Sequence, residues 1–216
     1  MDKHYLTPLF APASIAVLAG RADNPESLTS YAQALHPALR AQRFAGSLQF
    51  VDTHTSGTLA DLAQRKSDLA IIALPPAEVP AALEVAGRIG CRAALVLSSG
   101  MDADQAANLK KIARREGLYL LGPNSLGFQR PHLQLNASAA GPLASDGPLA
   151  LVCQSGALTS SILDWASNNA VGFRPWCRLG PTRTWTLPRC SIFWPTMRAR
   201  KASSSTWKAF PTHAVS

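Results

Sequence analysis

Four short runs of small, turn-forming residues are the first candidates for chemistry in this sequence. Each run directly follows an apolar segment, and the runs are Ala19-Gly20-Arg21, Pro75-Pro76, Ser98-Ser99-Gly100 and Asn124-Ser125. Backbone amides in such loops bind phosphate and carbonyl oxygens, and Arg21 would add a positive charge. Ordinary turn chemistry explains each run singly. It explains less well why successive runs are all small and poor in charge, and that shared character predicts a crevice for a long ligand.

A further run, Gln154-Ser155-Gly156, lies between an apolar segment and a helical pattern. Glycine lets the backbone approach a ligand closely, the amides of a first helical turn point outward, and a hydroxyl adds a donor. The run therefore predicts a phosphate site at a helix start. The alternative is that Ser155 only caps the helix, as serine often does. The spacing alone does not decide between the two.

Alternating strands and helices must position these runs. Apolar segments typical of strands occur at residues 14–20, 47–52, 68–74, 92–98 and 118–121, and helical patterns occur at residues 31–42, 59–64, 79–89 and 102–116. This alternation predicts an α/β fold with a Rossmann-like, doubly wound parallel sheet. Such sheets bind ligands at the carboxyl ends of their strands, where the small-residue runs would meet.

The pattern changes in the second half of the chain. Residues 128–147 are rich in Pro, Ala and Ser and predict a loop, whereas residues 148–153 and 157–167 predict a strand followed by a helix. We therefore expect a ligand-binding domain over residues 1–140, the first β-α unit of a second domain over residues 147–173, and a tail of different character over residues 174–216.

Bulk composition argues against several classes of protein. No apolar segment approaches the roughly 20 residues of a membrane span, and the N-terminus lacks the pattern of a secretory signal, so we predict a cytoplasmic protein with no membrane partner. The cysteines and histidines have no metal-ligand spacing, which predicts no metal site. The net charge is +8, but residues 1–164 carry 13 basic and 13 acidic residues, whereas residues 165–216 carry 8 basic residues and no acidic one. The positive excess belongs to the tail, and we expect no nucleic-acid partner.

A nicotinamide-dependent oxidoreductase is the competing enzyme interpretation. Asp52 lies at the end of the second strand, where a ribose-binding acid could occur. The fingerprint Gly-x-Gly-x-x-Gly is missing, because the next glycine after Gly20 is Gly46. One acid without the glycines favours a solvated turn residue.

Several longer motifs resemble the CoA-binding domain of the NDP-forming acyl-CoA synthetases, the group that includes the succinyl-CoA ligase α-subunit. The motifs are Leu9-Phe-Ala-Pro-Ala-Ser-Ile-Ala-Val17, Asp68-Leu-Ala-Ile-Ile-Ala-Leu-Pro75 with Val79-Pro80, Leu120-Leu-Gly-Pro-Asn-Ser-Leu-Gly127, Leu135-Asn-Ala137, and Leu149-Ala-Leu-Val-Cys-Gln-Ser-Gly-Ala-Leu158 with Ile162-Leu-Asp-Trp165. Together they cover roughly residues 8–173. Within the group, the sequence looks most like the branch fused to a GNAT-type acetyltransferase that acetylates protein lysines.

The resemblance implies coenzyme A or acetyl-CoA as the ligand. It places CoA across Ala19, Gly20, Arg21, Pro75, Ser98, Ser99 and Gly100, with Asn124 and Ser125 near its thiol end. It also implies that Gln154, Ser155 and Gly156 begin a flavodoxin-like ligase domain and face a phosphorylated histidine and an acyl phosphate. The histidine of the family lies beyond the matched motifs, so we predict no catalytic residue here and no acyl-CoA synthesis by this chain alone.

The sequence departs from the pattern of that family in three places. Ala19 and Arg21 replace its usual Gly and Ser, residues 52–54 replace its Asn-Pro-Lys, and Ser125 replaces its usual Cys. The first two changes remove groups that would contact CoA. They favour a regulatory or degenerate ligase portion over an active one.

The tail that follows Trp165 contains four of the five tryptophans and runs such as Arg174-Pro-Trp-Cys-Arg178 that suit neither helix nor strand. Tryptophans among basic residues are typical of a platform for single-stranded nucleic acid. We favour a shifted reading frame instead, because one deleted base converts a phrase encoding Phe-Ser-Ser-Val-Val-Ser into the observed residues 173–178. A truncated product is then expected, missing the downstream domains of its parent protein, with residues 174–216 disordered.

Overall fold

The computed structural model describes residues 4–20, 28–41, 43–51 and 66–179. Four sequence expectations lie outside these residues: the cation Arg21, the candidate acid Asp52, the short helix at residues 59–64, and everything in the tail from residue 180 onward.

A five-stranded parallel sheet forms the first half of the molecule, in the order β2-β1-β3-β4-β5. Its strands are β1 Ser14–Leu18, β2 Ser47–Phe50, β3 Leu69–Ile72, β4 Ala93–Val96 and β5 Tyr119–Leu121, and its helices are α1 Thr7–Phe10, α2 Ser30–Ala41, α3 Val79–Arg88 and α4 Ala103–Arg115. The predicted α/β fold with a parallel sheet is therefore confirmed. The sheet order reverses beside β1, which is the arrangement that opens a crevice at the carboxyl edge.

Helices cover both faces of this sheet. Leu18 and Ile72 point toward α3 and α4, whereas Val17 and Ile71 point toward α1 and α2. All residues of β3 and β4 are buried, as expected for parallel strands that are covered on both faces. Within the described residues, no helix combines the length and hydropathy needed to cross a membrane.

A second sheet of four strands contains the region that the sequence indicated as a loop. Strands β6 Gly127–Arg130 and β7 Leu135–Ser138 form an antiparallel pair, and they are followed by β8 Leu149–Cys153, helix α5 Gly156–Asn168 and β9 Phe173–Arg178. The order is β7-β6-β9-β8. The loop prediction for residues 128–147 is thus wrong over both strands, because Phe128, Leu135 and Ala137 pack into the same core as α1 and α2.

The first residues of the tail also form regular structure. Strand β9 pairs antiparallel with β6 and parallel with β8, and Trp176, Cys177 and Leu179 are fully buried. The expectation that disorder begins at Arg174 is therefore wrong for residues 174–179. Hydrogen-bonded neighbours on both sides and burial of the apolar side chains outweigh the poor strand propensity of this segment.

His132 links β6 to β9. Its Nε2 lies 3.0 Å from Nη2 of Arg130 and its Nδ1 lies 3.4 Å from the carbonyl of Arg174. A neutral ring that accepts from Arg130 and donates to the Arg174 carbonyl satisfies both contacts. Burial, followed by the charge of Arg130, lowers the pKa of His132. The hydrogen bond to the Arg174 carbonyl and the charge of Asp146 raise this pKa, and the charge of Arg174 lowers it, without reversing the overall direction.

Acidification should weaken the fold through His132. Because its folded-state pKa is below the ordinary value of about 6.5, its contribution is complete above that pH and is lost as the pH falls through the folded-state pKa. We expect His132→Gln, which keeps one acceptor and one donor, to flatten the fall of Tm between pH 7.5 and 5. Thermal unfolding of both proteins across this range measures it, and parallel curves would contradict the assignment.

Candidate functional site

The carboxyl ends of four parallel strands meet along one edge of the first sheet, and hydrogen bonds connect them laterally. The amide of Ala73 donates to the carbonyl of Leu18 over 2.9 Å, and Ser98 Oγ donates to the carbonyl of Leu74 over 2.6 Å. Thr29 Oγ1, at the start of α2, also donates to the carbonyl of Ala73 over 2.8 Å. The amide of Asn124 donates to the carbonyl of Ser98 over 2.8 Å. Each strand end is therefore fixed to its neighbour, and the predicted small-residue runs lie side by side.

We call this edge the rim; it consists of residues 19–20, 75–76, 98–100 and 124. Ala19 and Ser98 are buried, whereas Gly20, Pro75, Ser99 and Asn124 are partly exposed and Gly100 is exposed. The accessible surface of the rim is thus mostly backbone and small side chains, which suits close approach of an extended ligand.

Gly100 has more open space around it than Gly20, the other glycine of the rim. Its φ of +81° is in the left-handed region, and the nearest atom to an added Cβ would be Cγ of Pro76 at 4.0 Å. At Gly20, with φ +71°, an added Cβ would approach Leu28 to 2.9 Å. Glycine at these two turns keeps the backbone after β1 and after β4 close to where a ligand would lie.

The hydroxyl groups of Ser98 and Ser125 are engaged within the protein. Ser98 Oγ is used between strands, and Ser125 Oγ donates to the carbonyl of Arg178 over 2.6 Å while accepting from the amide of Gly127 at 3.0 Å. Ser125 is completely buried. These two serines therefore shape the rim through the backbone, and their role as direct ligand contacts stays a prediction.

The run Gln154-Ser155-Gly156 begins α5, as the sequence predicted. Ser155 is its N-cap, accepting from the amide of Leu158 at 3.3 Å, and Thr159 Oγ1 donates to the Ser155 carbonyl over 2.7 Å. The capping interpretation is therefore realised here. A phosphate role for the same helix start stays a prediction.

Arg178, which no sequence motif indicated, lies between the rim and α5. Its Nη1 donates to the carbonyl of Asn124 and its Nε donates to the carbonyl of Gln154 over 3.1 Å. A Cβ added to Gly156 would be 3.8 Å from this guanidinium. Thr29 was also missed, although a threonine directly before a helical pattern is a recognisable cap.

The rim contains no side chain pair suited to acid–base or nucleophilic chemistry. Its described residues are uncharged, and within the described ranges no three His, Cys, Asp or Glu side chains form a group that could hold a metal ion. Amide donors without nearby rim carboxylates suit a ligand that carries phosphates. The arrangement can bind and orient such a ligand.

Comparison with known proteins identifies a similar domain family and similar relatives. Residues 48–131 match the family model described as a CoA binding domain. The chain is 36% identical over 119 residues to acetate–CoA ligase [ADP-forming] I of Archaeoglobus fulgidus, covering 52% of this chain and 17% of the relative. It is 34% identical over 110 residues to acetate–CoA ligase [ADP-forming] of Methanocaldococcus jannaschii, covering 49% of this chain and 16% of the relative.

Solved structures share the fold. Acetyl-coenzyme A synthetase 1 of Ca. Korarchaeum cryptofilum, in its apo form, superposes with a TM-score of 0.80 at 22% identity, covering 90% of this chain and 44% of that one. ATP citrate lyase of Methanothrix soehngenii, solved with citrate and coenzyme A, superposes with a TM-score of 0.61 at 17% identity, covering 84% of this chain and 33% of that one. This chain therefore spans less than half the length of each of these proteins. Residues 48–131 are therefore similar to a CoA-binding domain, and about half of the chain is similar to part of the ADP-forming acetate–CoA ligases.

Proposed function

We propose that this chain binds coenzyme A or acetyl-CoA along the rim. The observation that carries the proposal is the lateral hydrogen bonding that joins the ends of β1, β3, β4 and β5 into one uncharged edge. The match of residues 48–131 to a CoA-binding family supports it independently.

The chain's own residues would position the ligand. Gly20 and Gly100 allow close backbone approach, Pro75 and Ser99 line the middle of the rim, and Asn124 lies at the far end, where the thiol would be. CoA supplies the thiol that carries an acyl group in ligases of this kind. This chain would contribute binding and orientation.

Thermal unfolding with added ligand tests the proposal. A ligand that binds only the native state at 100 times its Kd adds about 2.7 kcal/mol of stability, which is roughly 5 to 11 °C in Tm for a domain of this size. We expect CoA to produce such a shift and NAD to produce none. A shift with NAD alone would support the oxidoreductase alternative instead.

Paired variants locate the binding. Ser99→Trp fills the middle of the rim and should abolish the shift, whereas Ser167→Trp, on the exposed surface of α5, should leave it intact. If both variants keep the full shift, CoA binds elsewhere and the rim is not its site.

We further propose that the parent protein is an NDP-forming acyl-CoA ligase-type protein, of the branch fused to a lysine acetyltransferase, in which this portion is regulatory. The sequence motifs and the departures at Ala19, Arg21 and residues 52–54 support this. The chain alone is then not catalytic, because the phosphorylated histidine of such ligases lies outside the matched motifs.

The composition of β9 supports a shifted reading frame from about Arg174. This strand lies between β6 and β8, yet it contains Pro175, which cannot donate to the ladder. Two of its residues oppose one of β8 between the pairs Leu149–Phe173 and Leu151–Trp176, so the register is irregular there. The indole Nε1 of Trp176 is buried without a hydrogen-bond partner among the described residues.

Sequencing the locus in all three frames tests the proposal of a shifted reading frame. An intact base count with no ligase or acetyltransferase continuation would refute it.

A further inference from the structure

Asn124, at the end of the rim, has an unusual backbone conformation. Its φ is +55°, in the left-handed region that non-glycine residues seldom occupy. Asparagine tolerates this region better than most residues. A short loop between two strands can nevertheless adopt other backbone conformations, so the residue type alone does not fix this one. The conformation therefore needs support from its surroundings.

Two contacts on opposite sides hold Asn124. Its amide donates to the carbonyl of Ser98, and its carbonyl accepts from Nη1 of Arg178. The side-chain Oδ1 of Asn124 is 3.5 Å from the same Nη1. The first contact belongs to the sheet of the rim, whereas the second comes from a strand of the other sheet.

Arg178 is itself fixed at three points. Its carbonyl accepts from Ser125 Oγ, its Nε donates to the carbonyl of Gln154, and its backbone pairs with both neighbouring strands. The guanidinium therefore has little freedom and presents Nη1 to Asn124. Hydrogen bonds from a charged donor are stronger than neutral ones.

We propose that Arg178 is a positioning residue for the ligand crevice, holding Asn124 in its left-handed conformation and so shaping the end of the rim that receives the thiol arm of CoA. This inference rests on the proposed CoA function, and it concerns the chain as it stands, whatever the origin of the Arg178 codon. Ligand binding at the edge of the first sheet then depends on Arg178, a residue in a strand of the second sheet that no sequence motif indicated.

The test separates the two ends of the ligand. Isothermal titration with CoA and with adenosine 3′,5′-bisphosphate compares a ligand that reaches Asn124 with a fragment that stops before it. We expect Arg178→Leu to weaken CoA binding by about threefold to tenfold, the loss associated with one hydrogen bond, and to leave affinity for the bisphosphate within twofold. Arg178→Lys, which can still donate to one carbonyl, should recover part of the loss.

Arg114→Leu, at an exposed arginine on α4, is the matched control and should change neither affinity. Unchanged CoA binding in Arg178→Leu would overturn the inference. Equal weakening of both ligands would overturn it as well, because that result indicates general loosening of the domain.

A ligand-free measurement distinguishes this inference from the proposed function. The φ-dependent scalar coupling of the Asn124 amide, measured by NMR without CoA, should change in Arg178→Leu and not in Arg114→Leu. An unchanged coupling overturns the positioning role even if CoA binds. If the unsubstituted chain does not bind CoA, the proposed function is overturned, and the role of Arg178 in the ligand crevice is overturned with it. The scalar coupling still reports, in that case, whether Arg178 holds the backbone of Asn124.

Discussion

Replacing Gly122 by alanine should cost this protein a large fraction of its stability. Gly122 follows β5 and leads into the rim, with φ +102°, and an added Cβ would lie 2.2 Å from the carbonyl oxygen of Val96 in β4. A backbone carbonyl of a central strand cannot move aside without breaking the sheet. We expect a loss of about 3 to 5 kcal/mol, combining left-handed strain with overpacking.

Gly141→Ala provides the matched control. Its φ of +99° is nearly the same, but nothing lies within 4 Å of an added Cβ. Strain alone should then cost about 1 to 2 kcal/mol. Urea unfolding followed by circular dichroism measures both variants, and their difference isolates the collision with Val96. Equal losses would mean that the close packing of β5 against β4 at this point is not rigid.

Continuous apolar runs were sufficient to predict the first sheet. Strands β1, β3 and β4 are covered on both faces. Nearly every residue in them is apolar, and this pattern predicts a buried strand. The turns after β1 and β4 were also predictable from the sequence, because both contain a glycine, and Gly20 and Gly100 have the positive φ that glycine accommodates. For this reason the location of the rim followed from sequence alone.

Strands β6 and β7 of the second sheet were missed because their polar side chains are buried, whereas β8 was predicted from its apolar run. Arg130 is only 2% exposed, and its Nη1 donates to the carbonyl of Phe10, 120 residues earlier in the chain. A basic residue in a short segment normally indicates a solvated loop. Only a tertiary partner makes such burial possible, and no local pattern identifies that partner.

The hydrogen bonds of the candidate site residues could not be predicted from the sequence either, because they depend on tertiary partners. Ser98 and Ser125 have the residue types of ligand donors, yet both hydroxyls are used inside the protein. The residue type predicted a hydroxyl group near the carboxyl edge of the sheet. The acceptor of each hydroxyl is the carbonyl of Leu74 or of Arg178, which the local sequence does not identify. Arg178 belongs to a segment whose composition argued against any strand, so its contact with Asn124 was beyond sequence reasoning.

A buried polar network around Gln129 should contribute strongly to the second sheet. The two Nε2 hydrogens of Gln129 are shared among three acceptors, Asn136 Oδ1 at 3.0 Å, Ser138 Oγ at 3.2 Å and the Pro142 carbonyl at 2.9 Å. Its Oε1 accepts from the amide of Ala144 at 2.8 Å. Gln129 is completely buried. One side chain therefore joins β6 to β7 and to the loop that follows.

Gln129→Leu should destabilise the protein by about 2 to 4 kcal/mol, because it keeps a similar volume but leaves buried donors and acceptors unpaired. That loss corresponds to a fall in Tm of roughly 4 to 16 °C for a domain of this size. Gln33→Leu makes the same exchange at an exposed position of α2, where Nε2 makes a 3.4 Å contact with the Leu28 carbonyl. This variant should change Tm by about 2 °C or less. Differential scanning calorimetry compares the two. Similar small shifts in both variants would show that the network is replaceable, and that apolar packing of Phe128 and Leu135 alone holds the second sheet against the first.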